Sequence, residues 1–210
     1  GRAENLEGVA TVYGSGTVDG YRVRTIVTRP KGATGRLPGL FLVPWLSCDS
    51  SEVPAGETGG SDHLLRGLVT RSSYVMMRVD RPGLGDSEGP PCDRNDFLTD
   101  FRAYRAALRA FARSEHVDPD RLYVLGVSNG GGVAPLVAGG EDPVKVAGYV
   151  AVGAWSKTWL EHMLYHERLR LTLQGLPQAE VARQMRPFPE FHERSPNARR
   201  RPAEPARQRP

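Results

Sequence analysis

The chain has 210 residues, 39% of them hydrophobic and 25% charged, enough for one domain that buries roughly 70% of its unfolded surface. Its 24 glycines and 17 prolines follow no triplet period and its mean hydropathy is −0.43 with no apolar run of membrane-spanning length, so collagen, a peptide scaffold and a transmembrane helix are excluded. The formal charge of +4 would favour an anionic partner were it spread over a folded surface, which makes its placement along the chain decisive.

The sequence opens at Gly1 without an initiator Met, a charged n-region or an apolar h-region, and it is read as a soluble cytoplasmic protein whose true start was removed. Residues 8–14 and 21–29 alternate apolar and polar around Asp19-Gly20, predicting an antiparallel hairpin. The runs at 37–46 and 74–80 are almost continuously apolar, as strands buried on both faces are, and a helix is predicted between them at 61–72. Cys48 and Cys92 are too few for a disulfide framework and suit no paired zinc-ligand motif, so both are read as ordinary thiols. Phe97, Phe101, Tyr104, Leu108 and Phe111 recur at spacings of four and three, predicting an amphipathic helix over 96–113. A strand at 121–127, a short helix at 131–139 and a strand at 146–155 follow. Alternating strands and helices describe a doubly wound, mostly parallel sheet behind an antiparallel entry hairpin.

Beyond Trp155 the pattern turns helical, with helices expected at 158–175 and 176–185 and no further strand. From Arg194 onward six Arg stand against one Glu, with four Pro and no period. The tail therefore carries +5 and residues 1–193 carry −1. No aromatic side chain is interleaved there to stack a base, so neither a nucleic-acid nor a membrane partner is expected, and the segment is read as disordered.

One segment carries chemistry. The strand ending at Val127 runs into Gly126-Val127-Ser128-Asn129-Gly130 and then a helix, the G-x-S-x-G nucleophile elbow in strand–turn–helix context. A Gly-rich turn with a serine N-cap could merely join two elements; the flanking strand and helix favour the functional reading. Ser128 would be lifted above the strand ends as the nucleophile. Gly126 and Gly130 would admit close backbone approach, and the Asn129 N–H would donate to an oxyanion at a helix N-terminus.

With these residues the chain resembles the α/β-hydrolases, and among them bacterial carboxylesterases of the EstD type, over about residues 8–185. The resemblance places Phe41–Cys48 at the oxyanion loop, where Pro44-Trp45 stands in place of the family's His-Gly or Gln-Gly pair; it assigns the second oxyanion donor to the Leu46 N–H with Trp45 as neighbour. Asp80-Arg81-Pro82-Gly83-Leu84-Gly85-Asp86-Ser87 resembles the family turn that shapes the pocket floor, and 158–185 the inserted cap. Trp45, Trp155 and Trp159 are the candidates for lining an acyl pocket, against a purely structural role in the core. The implied organisation is a partial core at 1–157, a cap segment at 158–193 and the basic tail at 194–210.

The resemblance also exposes a gap. The family's acid and histidine follow the nucleophile, after two further strands that have no counterpart here. Downstream of Ser128 stand one Asp, Asp142, and three histidines, His162, His166 and His192. His162 and His166 lie one helical turn apart but outside any H-E-x-x-H, so no metal is expected. Gly14-x-Gly16 and Gly83-x-Gly85 miss the dinucleotide spacing and no phosphate-binding G-x-x-x-x-G-K occurs, so no cofactor is expected either. The expectation is a serine hydrolase of small carboxylic esters, incomplete at its C-terminal side and impaired because the triad acid and base are missing. A serine peptidase of the same fold and a catalytically dead fragment or binding module stay open.

Overall fold

In a computed structural model, residues 4–53, 56, 59–140 and 142–186 are described. The expected basic tail and His192 lie outside them. The chain divides into two compact units, Gly1–Trp155 and Ser156–Pro210.

The first unit holds β1 (Val9–Val18), β2 (Tyr21–Pro30), β3 (Leu37–Val43), α1 (Gly60–Arg71), β4 (Val75–Val79), α2 (Phe97–Ala112), β5 (Val117–Val127), α3 (Asn129–Ala138) and β6 (Gly148–Val152). One six-stranded mixed sheet runs in the order β1-β2-β4-β3-β5-β6. The β1–β2 hairpin pairs antiparallel to β4, while β4, β3, β5 and β6 are mutually parallel. Asp19 and Gly20 both have positive φ, 52° and 84°, the two-residue turn whose twist matches a hairpin.

Period-two alternation splits the core between the faces of the sheet. Phe41 and Val43 of β3 join Val75, Met77 and Val79 of β4 against Tyr104, Leu108 and Phe111 of α2 and Val133 and Val137 of α3. Leu40, Leu42 and Met76 point the other way, against Leu65 and Val69 of α1. The predicted α2 stripe is buried at Tyr104, Leu108 and Phe111, but Phe97 at its start is exposed and stacks on Phe101 at 5.8 Å between ring centroids.

Several expectations shift. β3 ends at Val43 because Pro44 has no N–H for the ladder. β5 begins at Val117, four residues early, with a register shift against β3 that accommodates Pro119. β6 is shorter than expected and all but its first residue are exposed. The thiol reading of the cysteines is overturned, since Cys48 and Cys92 form a disulfide across a sequence separation of 44 residues. Two cysteines make no framework, yet a single bridge needs only that the chain bring their Cα atoms close, here 5.8 Å apart.

The second unit contains α4 (Trp159–Leu173) and α5 (Gln178–Met185). Thr158 and Glu161 form a reciprocal capping box at the start of α4. Leu171, Val181 and Met185 form a small core, with Leu164 and Leu176 against it.

Candidate active site

Sequence makes the elbow by placing small residues wherever the strand and helix must touch. A Cβ at Gly126 would lie 2.5 Å from the Gly130 carbonyl oxygen and 2.6 Å from the Gly131 Cα. At Gly130 it would fall within the carbonyl oxygens of Val43 and Pro44, and at Gly131 against the Ala154 side chain. The helix thus starts directly against the backbone that leaves β3, so the loop beginning at Pro44 and the turn at Ser128 are neighbours. The pairing of Val43 with Gly126 sets the same register from the sheet side.

Between those contacts Ser128 takes φ 53° and ψ −122°, a conformation L-residues rarely adopt. Its N–H donates to the Val152 carbonyl at the end of β6 (2.8 Å), and its own carbonyl accepts from the Gly131 N–H (2.9 Å). The backbone is held on both sides while the side chain is exposed and makes no hydrogen bond among the described residues. A strained serine pinned by its backbone and open through its hydroxyl can present a nucleophile, and it has no cap role to explain its presence.

Asn129 opens α3, so its N–H is one of the unsatisfied donors of a helix start. Its side-chain oxygen accepts from the Trp155 indole N–H at 3.3 Å. Trp155 also lies where a side chain at Gly132 would stand and packs against the α2/α3 face of the core. Leu46 is 59% exposed, with its side chain turned to solvent. Trp45 is half-buried against the α1-side cluster. Trp159 lies in the second unit, 44% exposed, with its ring 5.7 Å from that of His162. The first unit therefore brings together Ser128, Asn129, Gly126, Gly130 and the Val43–Pro44 backbone, with Trp155 braced on Asn129.

The Ser128 hydroxyl has no hydrogen bond to a described histidine of the first unit. His63 is exposed on α1, and His116 precedes β5 at the opposite end of that strand, 3.1 Å from Arg29. Asp142 pairs with Arg109 at 2.9 Å in the turn that leads into β6, again at the strand end away from the elbow. His162 and His166 lie one turn apart on α4 with their rings tilted at 43° and 6.1 Å between centroids. Among the described residues no group of three or more His, Cys, Asp or Glu could hold a metal, and no helix is long and apolar enough to cross a membrane.

Sequence reasoning missed what holds the Pro44–Val53 loop. Asp80, fully buried, accepts from Ser50 Oγ (3.0 Å), Ser51 N–H (2.9 Å), Ser51 Oγ (3.1 Å) and Arg24 Nη1 (3.1 Å). Arg24 is further paired with Glu52, and these carboxylates hold its guanidinium pKa above the ordinary value although desolvation by burial, the largest single influence, pulls the other way. The neighbouring Arg78 donates to the Ser51 carbonyl and to Glu4, both at 2.6 Å, with neither charged side chain exposed. The signal available in sequence was the charged Asp80-Arg81 pair, with Arg78 two residues before it, at the end of an otherwise apolar strand.

Residues 62–202 match the family described as alpha/beta hydrolase fold, and the chain belongs to that family. No curated protein matches. Among solved structures the chain is similar to hypothetical protein PA2218 from Pseudomonas aeruginosa, at 18% identity and a TM-score of 0.58, covering 81% of this chain and 56% of that one. It is also similar to a bacterial heroin esterase, at 22% identity and a TM-score of 0.56, covering 77% and 49%. The alpha/beta hydrolase GrgF from Penicillium sp. sh18 matches at 20% identity and a TM-score of 0.53, covering 79% and 53%. The chain thus spans about half the length of the solved structures it resembles.

Proposed function

We propose that the chain is the nucleophile-bearing part of a serine hydrolase that cleaves small carboxylic esters, a carboxylesterase of the EstD type. The observation that carries this reading is Ser128, held at φ 53° between two glycines with its hydroxyl exposed and unbonded among the described residues. In the reaction the Ser128 oxygen attacks the ester carbonyl while the Asn129 and Leu46 amides receive the developing oxyanion. The alcohol leaves, and water releases the acid from the acyl-enzyme. No cofactor enters these steps. The helices at 158–185 serve as the cap in this reading, with residues 1–157 as the core.

Turnover by these 210 residues is proposed to be poor. The Ser–Asp–His order of the family puts base and acid after the nucleophile, and the loss of a triad base costs on the order of a millionfold. The second reading, an inert fragment or binding module that keeps the elbow as architecture, draws on the Ser128 hydroxyl having no hydrogen-bond partner among the described residues.

A fluorophosphonate probe in excess at mildly alkaline pH, with peptide mass spectrometry, separates the two. Selective modification of Ser128, absent in Ser128→Ala, is expected, together with hydrolysis of short-chain p-nitrophenyl esters close to the buffer rate. Labelling spread equally over other serines would remove the nucleophile. Fast ester turnover that depends on Ser128 would remove the impairment, and preference for an anilide over the ester would favour the peptidase.

A further inference from the structure

We infer that Arg81 is a positioning residue for the oxyanion loop, its guanidinium fork fixing the backbone next to Leu46. The inference rests on the serine-hydrolase reading for its catalytic consequence, while the clamp itself stands on geometry alone.

Leu46 is poorly placed to orient its own amide, because its side chain is 59% exposed and joins no buried cluster among the described residues. The loop has no ladder either, since β3 stops at Val43. Its orientation must come from outside, and the nearest external bond falls one residue on: Arg81 Nη1 donates to the Ser47 carbonyl at 2.7 Å. The rest of the fork is committed to Asp100 in the first turn of α2, through Nε at 3.0 and 3.1 Å and Nη2 at 2.7 Å. Asp100 in turn accepts from Asn95 Nδ2, which also donates to the Pro82 carbonyl. The same Nη1 lies 3.3 Å from Cys92 Sγ, the sulfur bonded to Cys48. Arg81 is 5% exposed, so these charge-assisted bonds are little screened and each partner would be left nearly dry without it.

The geometry needs a guanidinium. One planar group must face a carboxylate with two edges and a carbonyl with a third direction, and a lysine ammonium cannot span both. A water-sized cavity of about 10 Å³ is lined by Pro44, Trp45, Ser47 and Asp49 of the loop together with Arg81 and Leu84, so loop and arginine face the same space.

The test compares wild type with Arg81→Lys, which keeps the charge, and with Asp100→Asn, a milder change in case the first variant fails to fold. Amide hydrogen exchange over Leu46–Ser51 is expected to quicken about tenfold or more in Arg81→Lys, and less in Asp100→Asn, while Ala103–Phe111 and Leu122–Val127 keep their protection. The rate constant for fluorophosphonate attack on Ser128 should fall by about 10²-fold, with the half-saturating reagent concentration unchanged. Unchanged loop exchange, or full retention of both readouts by lysine, overturns the inference. Faster exchange with an unchanged phosphonylation rate overturns the positioning role and leaves only a structural tie. If wild-type Ser128 never reacts, the proposed function fails while the exchange comparison still decides the clamp.

Discussion

Replacing the candidate nucleophile by glycine should stabilise the protein. Ser128 sits at φ 53° and ψ −122°. A non-glycine residue held in such a region costs on the order of 1–3 kcal/mol, which glycine does not pay. Against that relief, glycine widens the unfolded ensemble by about 0.4–1 kcal/mol. The hydroxyl itself contributes little, being exposed and without a hydrogen bond among the described residues. The balance is about 1 kcal/mol in favour of Ser128→Gly, or roughly 2–4 °C in Tm for a domain of this size. Ser128→Ala keeps the strained φ and loses only the hydroxyl, so it should stay within about 0.5 kcal/mol of wild type. Asp19 serves as the comparison, at φ 52° in the hairpin turn, because aspartate tolerates that region and its Arg102 pair is exposed. Asp19→Gly should therefore shift stability by much less. Thermal and denaturant unfolding of the four proteins measure the order directly. A Ser128→Gly protein no more stable than Ser128→Ala would refute the claim that strain at the elbow is stored for presenting the hydroxyl.

The Cys48–Cys92 bridge closes a 44-residue separation, and the chain-entropy relation gives about 4 kcal/mol for a loop of that size. Melting with and without reductant should show the loss, and two alkylatable thiols in denatured, unreduced protein would contradict the pairing. Arg78 and Glu4 form an ion pair with no exposed side-chain surface, so Glu4→Gln should cost about 3–5 kcal/mol by stranding the guanidinium. The double variant Arg78→Met/Glu4→Leu should recover much of that in urea unfolding, and equal losses in single and double variants would refute the argument. On α5, hydrogen bonds from Arg183 and Gln184 hold the Glu180 carboxyl down to about 2. Because this folded value lies below the ordinary one near 4.3, the stabilisation is present above about pH 4.3 and fades as pH falls toward 2. A carboxyl carbon NMR titration should find that midpoint, and Arg183→Gln should raise it; a wild-type midpoint near 4.3 would exclude the bonds.

How far the sequence reveals this molecule depends on the range of each constraint. The β1–β2 hairpin, the two-faced strands β3 and β4 and the stripe of α2 are coded by neighbours within a few residues, and each exists where alternation or spacing predicts it, with β1 running further and β3 stopping sooner. β5 is different, since its early start at Val117 depends on pairing with Leu37, eighty positions away, and Pro119 hides the continuity. The disulfide was invisible for the same reason. Nothing near Cys48 or Cys92 says that the loops after β3 and β4 meet, yet once the parallel pairing of those strands is in place the two loops leave the same sheet end together.

The candidate site divides along the same line. Its elbow half is local in sequence, because Gly126, Ser128 and Gly130 lie within five residues, Gly126 answering the turn's own backbone and Gly130 the backbone that leaves β3. The half proposed to supply the second oxyanion donor is not, because the residues that hold Ser47 and Cys48 come from the end of β4, from α2 and from the bridge rather than from their own segment. This asymmetry follows from the chemistry asked of each half. A nucleophile needs one strained residue, which a strand–turn–helix holds with only backbone contacts from β3 and β6, whereas an amide donor on an irregular loop has no register of its own. Asp80 and Arg81 hold the loop from adjacent positions, one accepting from Ser50 and Ser51 and the other donating to Ser47, so the loop is gripped on both sides of Cys48 by oppositely charged neighbours. Such a pair at the end of a buried strand is costly unless every donor and acceptor is used, which is why nearly all of their polar atoms are spent on the loop, on Arg24 and on Asp100.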